Sequence, residues 1–316
     1  MDNESDSHYH YEMSWSAGRF SLTLGLASAA ILLAMPAAGA SARPRTVLNV
    51  VAAENFWGSL AGQLGGRQVR VTSIVSDPNA DPHEYETNPS DARLFASADY
   101  VIENGAGYDT WADKLLSAQP RAGRRVLTIS SFLRKPTGTN PHFWYDPRDV
   151  FGVIDRITSD YERLEPSERS YFASRHAAVE AALATYRTQL ASLARRFAGT
   201  KVAATESVFV YLASYLHMRL VTPSAFMDAV AEGVDPPASA LATFDRQITA
   251  RDFRVLVYNT QTVTPLTTNI RNGAKSQHIA VVGISETIAP PDTTFERWMV
   301  AELGRLSAAL SAARRP

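Results

Sequence analysis

Two stretches of the chain place a histidine directly after a proline: Asp81-Pro82-His83-Glu84-Tyr85-Glu86 and Asn140-Pro141-His142-Phe143-Trp144-Tyr145-Asp146-Pro147. Proline locks its own φ and drives the residue before it towards extended geometry. Each imidazole is therefore held on a stiffened loop, and each loop follows a strand-like run. Two imidazoles aimed at one point begin a metal site. Glu206 and Glu286, each directly after a run that reads as a strand, are the carboxylates that would complete it. Two nitrogen and two oxygen donors suit a first-row divalent metal such as zinc, manganese or iron.

Each of these residues also has an ordinary reading. A loop histidine is commonly a satisfied polar group, Glu206 would suit a helix N-terminus, and Glu286 could be a solvated loop acid. Asp146, before Pro147, reads as the cap of the next helix or as a support for His142. His176 reads as a core or interface residue, His217 and His278 as structural, and His8 and His10 as part of an N-terminal tail. A rival chemistry is that of an exported metallohydrolase, with Glu84 or Glu86 as general base. The sequence offers it no helical His-Glu-x-x-His pattern and no second metal set. A third reading is an adhesive surface protein that keeps a metal for stability.

The elements that must position these groups alternate. Apolar runs at 46–51, 69–75, 100–103 and 126–129 read as buried parallel strands. Helical patterns at 55–64, 89–98 and 108–117 separate them, and another follows at 150–161. Pro166 then opens a stretch with no glycine or proline until Gly199. Its large residues are Phe172, His176, Val179, Leu183, Tyr186, Leu190, Leu193 and Phe197, in alternating steps of four and three. This predicts one helix of about thirty residues, roughly 45 Å long. A coiled-coil dimer is one use for such a helix; a backbone between two lobes of one chain is the other, and the pattern after it favours the second. Strands follow at 201–205, 219–222, 254–258 and 279–284, helices at 207–216, 238–250, 264–275 and about 294–313, and a loop over 225–237. The expected fold is α/β: two parallel-sheet α/β lobes, 43–163 and 199–316, joined by a long rigid backbone helix at 164–198. Ligands of open parallel sheets bind beyond the carboxyl ends of the strands. That rule brings His83 and His142 from one lobe and Glu206 and Glu286 from the other into one cleft. No glycine-rich phosphate loop stands at a strand–helix junction.

The 316 residues, 45% of them hydrophobic, are enough for two ordinary domains, and a formal net charge of −1 supplies no basic field for nucleic acid. The absence of cysteine excludes a disulfide framework, a thiolate metal site and a lipid-attachable thiol. Residues 21–38 are apolar and small, Arg19 precedes them, and small-residue cleavage sites lie after Ala40 and Ala42. This predicts a signal peptide over 1–42, with Met13 a more ordinary start than Met1, and export to a periplasm. As a membrane anchor the run is short of a comfortable span.

Together with Ala98-Asp99-Tyr100-Val101-Ile102-Glu103-Asn104-Gly105 and Phe209-Val210-Tyr211-Leu212-Ala213 after Glu206, the two Pro-His loops resemble the zinc/manganese group of metal-binding solute-binding proteins of bacterial ABC transporters. The resemblance covers residues 46–310. It implies two α/β lobes on a long rigid helix, and one divalent metal ion, zinc or manganese or iron, as transported ligand. It also implies a monomer that hands the ion to a cognate permease with its cytoplasmic ATPase, with no catalysis and no nucleic acid. The family's first two ligands carry over to His83 and His142. Its third, histidine in many zinc binders and glutamate in many manganese or iron binders, is Glu206. Its fourth is usually aspartate; here Ser285-Glu286-Thr287 puts Glu286 in its place. The histidine-rich loop of many zinc importers is missing, since residues 131–139 contain no histidine. With both imidazoles binding as neutral ligands, affinity is expected to fall towards pH 5. The long helix is expected to limit hinge motion.

Overall fold

The computed structural model describes residues 47–313; the expected signal peptide and its cleavage sites lie outside them. In chain order the first sheet and its helices are β1 (Leu48–Glu54), α1 (Asn55–Gly65), β2 (Val69–Val75), α2 (Pro89–Ser97), β3 (Tyr100–Glu103), α3 (Thr110–Ala118), β4 (Arg125–Thr128), α4 (Ile129–Phe132) and α5 (Pro147–Leu164). Two helices follow, α6 (Arg169–Ala182) and α7 (Ala184–Phe197). The second set is β5 (Lys201–Ala204), α8 (Val210–Tyr215), β6 (Arg219–Leu220), α9 (Ser224–Ala231), α10 (Ala238–Thr249), β7 (Val255–Asn259), α11 (Pro265–Ser276), β8 (Ala280–Ile284) and α12 (Phe295–Ala312).

Both sheets are four-stranded and wholly parallel, in the orders β2-β1-β3-β4 and β6-β5-β7-β8. Parallel pairing of consecutive strands requires a crossover, and the helices supply it while covering both faces. That is why the strand sequences read as continuous apolar runs. Local signals set the ends of the elements. Asn88 and Asp91 form a capping box on α2, Thr264 and Thr267 form another on α11, and Pro89, Pro147 and Pro265 open their helices. Asp146 accepts from the backbone N–H of Arg148 at 3.0 Å, so it is the cap of α5.

Two expectations need correction. The single helix after Pro166 is a short 3-10 turn followed by α6 and α7, which break at Leu183. No glycine or proline marks the break. Leu183 itself keeps helical backbone bonds on both sides, its N–H donating to the Val179 carbonyl and its carbonyl accepting from Arg187, each at 3.0 Å. The hydrophobic stripe survives it: Phe172, Val179, Leu183, Tyr186, Leu190, Leu193 and Phe197 are all buried. His176 stays partly exposed and pairs with Asp155 on α5 at 2.8 Å. The expected loop at 225–237 contains α9, whose Phe226, Met227, Ala229 and Val230 are buried. The turn residues Gly233, Pro236 and Pro237 lie beyond it.

One core runs through both halves. A continuous set of buried side chains extends from Leu48 and Phe56 through Trp144, Tyr186 and Phe209 to Trp298 and Leu310. The last helix returns across the first lobe: Gln63 on α1 donates to Glu296 on α12 at 3.0 Å, and the N–H of Phe295 donates to the Ser59 hydroxyl at 3.0 Å.

A buried carboxylate ties α5 to the first sheet. Asp160 accepts from the Tyr100 hydroxyl at 2.9 Å, Arg156 at 3.0 Å, Arg163 at 3.1 Å and Arg125 at 2.5 Å. Burial alone would raise its pKa, but the bonds from Arg125, Arg156 and Tyr100 outweigh it and hold the carboxyl below the usual range. A depressed folded-state value means a contribution present above the unfolded value and lost as pH falls through the folded one. Asp160→Asn should cost about 2–3 kcal/mol at pH 7. In thermal melts the gap between variant and wild type should narrow steadily below about pH 4.

Candidate metal centre

Every predicted ligand sits at the carboxyl edge of a sheet. β2 runs into the loop that ends in the short turn Pro82–Glu84, where Asp81 accepts from the backbone N–H of His83 at 2.9 Å. His142 precedes the turn Phe143–Tyr145, Glu206 follows β5 by two residues, and Glu286 follows β8 by two. Ligand atoms of His83, His142 and Glu286 all lie within 4.8 Å of one another. Glu286 Oε2 is the focus, 3.4 Å from His83 Nε2 and 3.5 Å from His142 Nε2. Glu206 is outside that three-residue cluster and one side chain away. The Asn259 amide nitrogen reaches Glu206 Oε1 at 2.9 Å and Glu286 Oε1 at 2.6 Å. His142, Glu206 and Glu286 are wholly buried, and 24% of the His83 side chain is exposed.

The orientation of His142 is set by its neighbours. Its Nδ1 lies 2.6 Å from Asn140 Oδ1, an oxygen that also accepts from the His142 backbone N–H at 3.1 Å. An amide oxygen cannot donate, so the ring proton is on Nδ1 and Nε2 carries the lone pair. Nε2 has no hydrogen-bond partner, and neither has Glu206 Oε2. Two buried, unpartnered electron pairs beside Glu286 and His83 fit a cation, since such groups are otherwise costly to bury. Asn140 also donates to the Ser207 carbonyl at 2.8 Å, next to Glu206. The loop is fixed further by Asn104, which donates to the Pro141 carbonyl at 2.9 Å. The next residue, Gly105, has φ +74° and no room for a Cβ, which would meet the Ser130 hydroxyl at 2.3 Å.

Charge is distributed unevenly. Burial would lower the pKa of His83, but the Glu286 carboxylate raises it to about 9. Burial likewise favours neutral Glu286, and the charge of His83 beside it reverses this and holds it well below the carboxylate range. Glu206, buried and facing the charge of Glu286, is pushed up to about 8. Burial lowers the pKa of His142, which keeps its imidazole neutral. Binding of a cation by two neutral imidazoles therefore costs no proton at His142 and one proton at His83. The site opens to a cleft of about 1150 Å³. Asp81, Glu84, Asp228, Glu232 and Asp235 line it, and no lysine or arginine is among the described residues that do.

Three neighbours were not expected from the sequence. The Tyr108 hydroxyl donates to Glu286 Oε2 at 2.6 Å. Gln261 accepts from the N–H groups of Glu286 at 2.7 Å and Thr287 at 3.0 Å, and donates to the Ala80 carbonyl in the His83 loop at 2.6 Å. Asn259 joins the two glutamates. The strand-end rule reaches Asn259, the last residue of β7, but it is passed over when only metal-ligating residue types are considered. Of the predicted structural histidines, His217 and His278 adopt φ of +55° and +56° in turns after α8 and α11.

The family model described as ZnuA, zinc-uptake complex component A, periplasmic, matches residues 50–309. The chain belongs to this family. Among curated relatives, the manganese-binding lipoprotein MntA of Halalkalibacterium halodurans is 28% identical over 124 residues, 38% of this chain and 40% of that protein. The iron-binding protein YfeA of Yersinia pestis is 27% identical over 115 residues, 34% of this chain and 36% of YfeA. The matched segments thus span less than half of the length of these two relatives. The fold extends over far more: the periplasmic zinc-binding protein TroA of Treponema pallidum aligns with 84% of this chain and 99% of its own at a TM-score of 0.70 and 17% identity.

Asn140→Ala should lower the affinity for a divalent cation about 10–100-fold while leaving the fold intact, because it frees the His142 ring and its tautomer. Competition against a chromophoric chelator measures it. A change within twofold would show that the ring needs no such partner.

Proposed function

We propose that this ZnuA-family protein is an extracytoplasmic receptor that captures one divalent transition-metal ion and delivers it to the permease of an ABC importer. The ion is held by His83, His142, Glu286 and Glu206, and no bond is made or broken. The observation that carries this reading is the lone pair of His142 Nε2, buried and unpartnered, aimed at the same carboxylate oxygen as His83. The ion is zinc or manganese, with iron the third candidate, in keeping with the manganese-binding MntA, the iron-binding YfeA and the zinc-binding TroA. Two imidazoles favour zinc by raw affinity, and two carboxylates admit the harder metals. The acidic cleft favours entry of cations over anions. Export from the cytoplasm, a monomeric state and a permease–ATPase partner complete the proposal.

The mode of capture follows from the packing. A core shared by both lobes, and the bonds from Gln261 to both the His83 loop and the Glu286 loop, leave little freedom for lobe rotation. Loops, more than lobes, adjust around the ion.

Two measurements test the proposal. Elemental analysis of the wild-type protein should find about one divalent ion per chain, and His83→Ala with His142→Ala should abolish it at least a hundredfold in affinity, since half the donors are gone. Stoichiometric retention by the double variant would place the metal elsewhere. Small-angle scattering before and after addition of zinc should give superimposable profiles, and a clear contraction would contradict the loop-based account.

A further inference from the structure

Asn259 lies at the carboxyl end of β7, 1% exposed, between the two glutamates. Which end of its amide faces them is decided by the backbone: the N–H of Gln261 donates to Asn259 Oδ1 at 2.9 Å. An acceptor is thus fixed on the far side, and the NH2 group faces the carboxylates. Its nitrogen takes Glu206 Oε1 at 2.9 Å and Glu286 Oε1 at 2.6 Å, while Thr262 Oγ1 lies at 2.9 Å. The amide's two protons are shared among three acceptors, the two carboxylate oxygens and Thr262 Oγ1. On Glu286, the other oxygen, Oε2, faces His83 and His142 and accepts from the Tyr108 hydroxyl at 2.6 Å. On Glu206, the other oxygen, Oε2, has no partner. The same division is repeated on both side chains: Oε1 to the amide, Oε2 to the site.

We propose that Asn259 is a specificity-determining residue, which engages Oε1 of both glutamates and so limits each to a single oxygen donor for the ion. This rests on the reading of His83, His142, Glu206 and Glu286 as the ligands. A carboxylate free of such a bond can bind an ion through one oxygen or both. With both held to one, the protein offers two nitrogens and two oxygens, the four-donor set in which zinc is at home. Manganese prefers a larger shell rich in oxygen, which two bidentate carboxylates would approach. Asn259 does not touch the ion in this account. It acts through the glutamates and biases the choice of metal by fixing how many oxygens they present.

The test uses the full mature protein, with zinc, manganese and cobalt ions as probes. Cobalt absorbs strongly in the visible when four-coordinate and weakly at higher coordination number, which a merely structural role would not alter. Asn259→Ala should lower the zinc-to-manganese affinity ratio about tenfold or more and weaken the cobalt band. Asn259→Ser, which keeps one donor, should lie between the wild type and Asn259→Ala, and it carries the test if the alanine variant does not fold. An unchanged or raised ratio, with an unchanged cobalt spectrum in a folded variant, overturns the proposal while leaving the ligand set intact. A wild-type protein that takes up no cobalt overturns the ligand reading itself, and this proposal with it.

Discussion

The bond between His142 Nδ1 and Asn140 Oδ1, 2.6 Å long and partly buried, is the interaction on which the site depends. It decides which nitrogen holds the proton, and so gives Nε2 a lone pair where a cation can use it. Without it the ring could turn or exchange tautomers, and the focus on Glu286 Oε2 would be lost. The same asparagine reaches across to the Ser207 carbonyl beside Glu206, so the orientation of one ligand and the position of another share a residue. Trp144 stands behind it, stacked on Phe56 at 3.9 Å, and His142 packs against its ring at 5.2 Å. A polar constellation is thereby mounted on a dry aromatic wall, where its hydrogen bonds meet little competition from water.

Parallel strands explain why four distant residues meet. Strands of a parallel sheet share one direction, so Glu206, Asn259 and Glu286, at the carboxyl ends of β5, β7 and β8, approach the same place as His83 and His142 from the loops after β2 and β4. The continuous core and the return of α12 onto α1 then hold the two edges in register. Charge follows the same logic. One carboxylate, Glu286, is kept ionised by the charge of His83, and the second, Glu206, is pushed up to about 8 by burial and by the negative charge of Glu286. A divalent cation resolves that conflict by compensating both.

Much of this was legible in the sequence. The strands at 69–75 and 100–103 match β2 and β3 residue for residue, because buried parallel strands are short, apolar and bounded by turn residues. His83, His142 and Glu286 were found by combining residue type with strand ends, and they converge as that rule requires. Glu206 was found too, but its distance from the cluster is set by Asn259, and nothing in the spelling of a strand end says which neutral amide will stand between two acids. Tyr108 and Gln261 are not legible for a related reason: they act through contacts with residues more than twenty positions away, and neither is a common metal-ligating type. The break at Leu183 carries no glycine or proline to announce it, and α9 was obscured by the turn residues that follow it. Residue types at strand ends are readable; the neutral partners that hold them, within a lobe or across lobes, are not.

What remains to be measured is the set of donors around the ion itself. X-ray absorption at the metal edge, on wild-type protein loaded with one equivalent of zinc, reads it directly. The account predicts only nitrogen and oxygen neighbours at about 2.0–2.2 Å, with the outer-shell scattering of two imidazole rings per ion. A spectrum with no imidazole signature, or with oxygen neighbours alone, would contradict it.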